Sequence, residues 1–95
     1  MLKRHEDGFT LTFANGYTVS VRWSSYHYCG LRDLRADTRK LTPRESPNAE
    51  VAVITPDGKV EDPAGWCEPD TVAAIIARTA KRKTPTKKRK WLKVP

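Results

Sequence analysis

The chain has 95 residues, 38% of them hydrophobic and 31% charged, with a formal net charge of +7. That length accommodates one domain at most, and a core this small makes a homodimer a reasonable expectation. No apolar run approaches the roughly 18 residues of a membrane span, and the opening "MLKRHEDGF" lacks the apolar stretch of a signal peptide, so the sequence reads as a cytoplasmic protein with no membrane partner.

The first predicted element lies in Phe9 to Trp23, "FTLTFANGYTVSVRW". Asn15-Gly16 is a hairpin signal. A two-residue loop would split the apolar residues between the two faces of the hairpin. A three-residue loop, Ala14-Asn15-Gly16, pairs Phe13 with Tyr17, Leu11 with Val19 and Phe9 with Val21. It also pairs Thr12 with Thr18 and Thr10 with Ser20. One face is then apolar and the other polar, and a buried face sets register. The longer loop is therefore expected, with Gly16 in the left-handed conformation of a bulge.

Residues 24–47 have turn residues, four arginines and weak periodicity. Leu31, Leu34 and Leu41 fit a short helix or a long connection equally well. "NAEVAVIT", Asn48 to Thr55, reads as a strand. Pro56-Asp57-Gly58 then forms a turn that pairs Ile54 with Val60. A short strand toward Trp66 follows. A helix opens at Pro69, with Asp70 at the positive end of its macrodipole. Val72, Ile75, Ile76, Thr79 and Ala80 recur at helical spacing, and Pro85 ends the helix near Lys83.

The expected fold class is α+β: a small antiparallel sheet, made of the hairpin 9–23 and the strand 48–55 with its turn and short partner, packed by one helix over about 69–83. Residues 1–83 form the domain, and residues 84–95 are a basic tail whose composition predicts disorder.

Charge is distributed unevenly. From Arg78 onward there are nine basic residues and no acidic ones. Residues 1–77 hold nine basic against eleven acidic, a balance of −2. Attraction to anions is therefore local to one end of the chain.

Several motifs together, "FANGYTVSV", Tyr28-Cys29, "NAEVAV" ahead of a Gly-containing turn, and a Pro-opened helix, resemble a family of small phage-encoded accessory proteins. The matching positions are Phe13, Asn15, Gly16, Val19, Ser20, Val21, Tyr28, Cys29, Asn48, Ala49, Glu50, Ala52, Gly58, Pro69 and Val72, spread over about residues 9–80. Arg22-Trp23-Ser24 and the basic tail depart from the family pattern. The resemblance implies an accessory product without an assigned activity. Some small phage proteins of this general kind block host defence by binding a host protein or sequestering a nucleotide signal.

The residues favour binding over catalysis. No phosphate loop, dinucleotide fingerprint, HExxH or G-x-S-x-G occurs. His27, Cys29, Cys67 and His5 lack the paired spacing of a zinc site, so no metal or other cofactor is expected, and the cysteines read as reduced core residues. On a strand His27 and Cys29 would share a face, but no orienting third group can be named for a Cys-His nucleophile. Arg22, Trp23, Tyr26, Tyr28, Arg32, Arg35 and Arg39 combine guanidinium groups with aromatic faces. They are the candidate ligand-binding set for a nucleotide-like anion or an acidic protein surface, the plain alternative being a solvated, salt-bridged loop. Lys81, Arg82, Lys83, Lys87, Lys88, Arg89, Lys90 and Trp91 are the candidate contacts to DNA or RNA phosphates. The sequence thus points to a non-enzymatic phage protein that captures a host protein or a nucleotide-type signal in the host cytoplasm. The alternative is a nucleic-acid-binding protein working through its tail.

Overall fold

The computed structural model describes residues 1–24 and 45–85. Five strands, β1 (Leu2–His5), β2 (Gly8–Thr12), β3 (Thr18–Arg22), β4 (Ala49–Ile54) and β5 (Ala64–Cys67), precede one helix, α1 (Pro69–Ala80). The strands lie side by side in chain order and every neighbouring pair is antiparallel. This is the expected α+β architecture, an antiparallel sheet packed by a C-terminal helix.

The β2–β3 hairpin has the register that its hydrophobic pattern demands. Phe9 faces Val21, Leu11 faces Val19, and Thr12 faces Thr18. Phe13 and Tyr17 close the three-residue loop through a 2.9 Å backbone hydrogen bond. Gly16 adopts φ +91° and a Cβ there would press on the ring of Pro56, 3.1 Å away. The second turn repeats the design: Thr55 and Lys59 close Pro56-Asp57-Gly58 at 2.8 Å, and Ile54 bridges to Val60 as expected. The two loops therefore stack at one end of the sheet.

Strand alternation puts Val19, Val21, Ala49 and Val51 on one face, and α1 lays Ile75 over them with Val72 and Ile76 alongside. Each fully buried aliphatic side chain of this kind contributes roughly 1.5–3 kcal/mol. The helix touches β3, β4 and β5. Thr79 is buried, and its hydroxyl donates to the Ile75 carbonyl at 2.7 Å, which satisfies a polar group inside the apolar layer.

Two features differ from expectation. β1 was not anticipated, because "LKRH" carries no apolar alternation. Its pairing to β2 places Leu2 opposite Leu11 and Arg4 opposite Phe9. A strand at the sheet edge with exposed basic side chains is a common natural arrangement. The helix also stops at Ala80, three residues short of Lys83. Lys81 and Arg82 donate their backbone N–H groups to Arg78 and Thr79, a tightened last turn, and Asn15 takes over the terminal carbonyls.

Candidate functional site

At the end of the sheet away from the two loops lies a cavity of about 380 Å³. Phe9 and Val21 come from the sheet, Trp23 from the chain just past β3, and Val72 and Ile76 from α1. Asn48 and Glu45 supply polar groups at the rim. The Trp23 ring meets Phe9 edge-on, with centroids 6.5 Å apart and planes at 72°, a favourable aromatic geometry. Trp23 follows Val21 by two positions, so strand alternation brings both to the helix side and leaves its indole as a wall of the cleft.

The same alternation separates Arg22 from Trp23. Arg22 points to the opposite face of the sheet, where its Nη1 donates to Asp7 Oδ1 at 2.8 Å. Its Nε is buried without a hydrogen bond. The backbone N–H of Trp23 donates to the Asp7 carbonyl at 2.8 Å, so Asp7 holds this corner through both its side chain and its main chain. Arg22 and Trp23 are neighbours in sequence but do not form one patch. Tyr26, Tyr28, Arg32, Arg35 and Arg39 lie outside the described residues, as do His27 and Cys29.

Of the basic set near the helix end, Lys81 and Lys83 are exposed. Arg82 turns back onto the domain. Its two terminal nitrogens donate to Glu61 at 2.9 and 3.1 Å, and its guanidinium carbon lies 4.2 Å from the centre of the Tyr17 ring. The paired hydrogen bonds hold Glu61 below the usual carboxylate range and raise Arg82. Lys87, Lys88, Arg89, Lys90 and Trp91 lie outside the described residues.

Cys67 is buried at the foot of the cleft, and its Sγ lies 3.5 Å from the Ala64 carbonyl. Burial pushes its thiol pKa up, which suits a packed side chain more than a nucleophile. Among the described residues, no three His, Cys, Asp or Glu side chains gather as a metal site. Among them, too, no helix is long and apolar enough to cross a membrane.

Sequence reasoning did not find Asn15, whose side chain reaches α1 from 64 residues away, or the Asp7–Arg22 pair. An Asn-Gly dipeptide signals a turn and carries no sign of what its amide will touch. No family model, curated protein or solved structure matches the chain.

Proposed function

We propose that this is a non-enzymatic protein that works by binding, and that the cleft between β3 and α1 receives an apolar side chain of a partner protein. The observation that carries this reading is the lining: Phe9, Trp23, Val72 and Ile76 present carbon to the opening. Apolar cavities with a few polar rim groups are the usual form of a binding site. A nucleotide-like anion is less well supported by the described groups, because Arg22 and Arg82 already pair with carboxylates. The resemblance to phage accessory proteins makes a host protein the natural class of partner, and interference with a host process the natural outcome.

Ala73→Arg tests this reading, since Ala73 is an exposed helical residue on the cleft wall. Affinity purification of full-length wild type and variant from host extract should recover a partner with the first and lose it with the second, at unchanged melting temperature. Equal recovery would sink the reading. A second reading, phosphate binding by the helix end, draws on the exposure of Lys81 and Lys83. It expects recovered nucleic acid that is lost on nuclease treatment and in the Lys81→Glu/Lys83→Glu double variant.

A further inference from the structure

Trp91 is the only aromatic residue after Trp66, and it stands beside Leu92 in a run that is otherwise basic, with Lys87 to Lys90 before the pair and Lys93 after it. Phosphate contacts use the basic residues and leave an indole next to a leucine without a role. Both side chains gain by leaving water. The described chain fixes where this segment starts. Arg82 is held by Glu61 and by the Tyr17 ring, and the Thr84 hydroxyl donates to the Asn15 carbonyl at 3.5 Å, so Pro85 leaves the domain beside the two stacked loops.

The cleft lies back along α1. Its lining on the helix runs from Ile76, about 6 Å along the axis from Ala80, to Pro69, about 16 Å from it. Trp91 follows Pro85 by six residues, an extended reach of about 20 Å. A tail that turns back along the helix therefore brings the indole to the cleft. Size and charge fit the same occupant. A cavity of about 380 Å³ is larger than one side chain fills, and Phe9, Val21, Val72 and Ile76 line it with carbon. Glu45 stands at its rim, and Glu68 and Asp70 flank Pro69; all three are exposed. Arg4, opposite Phe9 on β1, opposes them, while Arg22 is bound to Asp7 on the other side of the sheet. Three carboxylates against one guanidinium favour an apolar pair that arrives between Lys90 and Lys93.

We propose that Trp91 and Leu92 fold back and occupy the cleft, as an internal occupant that a partner must displace. The proposal rests on the reading of the cleft as a seat for apolar side chains and adds its regulation, since the chain competes for its own site. A short linker holds a tethered group at an effective concentration of about a millimolar. A contact of modest intrinsic affinity is then mostly made, and the chain's own tail outcompetes that of a second copy at micromolar protein.

The test is methyl NMR on full-length wild type and Trp91→Ala. An indole seated in the cleft shifts the methyl resonances of Val72 and Ile76 through its ring current. These should move in Trp91→Ala while those of Leu2, Leu11 and Val60 stay in place. Labelling with 5-fluorotryptophan reports from the other partner, the Trp91 signal being the one absent from Trp91→Ala. Its change between H2O and D2O should be at most half of that seen in urea. Both effects should survive tenfold dilution. Three results would overturn the proposal: unmoved Val72 and Ile76 methyls with a fully solvent-sensitive fluorine; movement of Leu2 and Leu11 instead, which would seat the indole on β1 and β2; or loss of both effects on dilution, which would seat it in a second copy. Purification from host extract separates this proposal from the partner reading. Trp91→Ala should recover more partner than wild type, and equal recovery would overturn the competition. Recovery of no partner by either protein, with the methyl shifts present, would remove the partner and leave the internal occupant standing.

Discussion

The side-chain amide of Asn15 donates to the Thr79 carbonyl at 2.9 Å and to the Arg82 carbonyl at 2.7 Å, with Ala80 at 3.4 Å. A residue of the β2–β3 hairpin loop thus caps the C-terminus of the only helix among the described residues. The last carbonyls of a helix have no partner within it, and here a turn on the sheet supplies one. The other end of the same amide accepts from the Tyr17 N–H at 3.0 Å, so one side chain shapes its own loop and anchors α1.

Asn15→Ala is expected to destabilise the protein by about 1–3 kcal/mol, the cost of leaving partly buried groups without hydrogen bonds. Asn15→Asp should cost more, because it sets a carboxylate against carbonyl oxygens at the negative end of the helix dipole. Urea denaturation followed by far-UV circular dichroism measures both. Indistinguishable midpoints for Asn15→Asp and wild type would show that the cap contributes nothing.

Gly8 is expected to tolerate no side chain. Its φ is +153°, and a Cβ would lie 1.9 Å from the Val21 carbonyl oxygen, a backbone atom with no freedom to move aside. Gly8→Ala should therefore lower stability by about 1–3 kcal/mol through strain at this close approach. Thermal melting of the variant, with amide exchange on β2 and β3, tests the effect and its location.

The Glu61–Arg82 pair gives the protein an acid-sensitive component. The folded-state pKa of Glu61 is depressed, first by its hydrogen bonds from Arg82. A depressed carboxylate contributes stability above its unfolded value and loses it as pH falls through the folded one. Stability should therefore decline below about pH 5, and Glu61→Gln should flatten that part of the profile. The pair is well exposed to solvent, so the effect is modest. Denaturation midpoints between pH 3 and 7, compared for wild type and variant, decide the matter.

Cys67 is expected to resist alkylation in the native state. Burial raises its pKa, so the contribution to stability is whole below the unfolded thiol value and is lost as pH rises through the folded one. Iodoacetamide labelling at pH 8, read at Cys67 by peptide mapping, should be at least tenfold slower in the native protein than in urea. Equal rates would place the thiol at the surface.

The parts of the fold legible in the sequence are those with a local period or a turn of defined chemistry. Phe9, Leu11, Val19 and Val21 alternate strictly, so one buried face fixed the register of the β2–β3 hairpin. Pro56-Asp57-Gly58 marked its own loop, and Pro69 the start of α1. β1 stayed hidden because Leu2 to His5 are held by backbone pairing to β2, which leaves no imprint on side-chain pattern. The end of α1 was misplaced for a related reason: Lys81 to Lys83 are acceptable helix residues, and what stops them is the amide of Asn15 in another element. Within the candidate site, Trp23 was legible as an aromatic at the end of an apolar strand. Its partners on α1 were expected only as core residues. Trp66 was read as part of a short strand, since a bulge is visible only once the two strands are in register.

The contact between Asn15 and Thr79 also orders events in time. Synthesis runs from the N-terminus, so the β2–β3 hairpin can exist long before the segment that closes it has been made. Until α1 arrives, Val19, Val21 and Val51 have no cover from the helix that buries them in the finished protein. Joining residues 64 positions apart is also entropically expensive and slow compared with closing a turn. The nascent chain therefore passes through a stage in which a water-exposed valine surface awaits its last element.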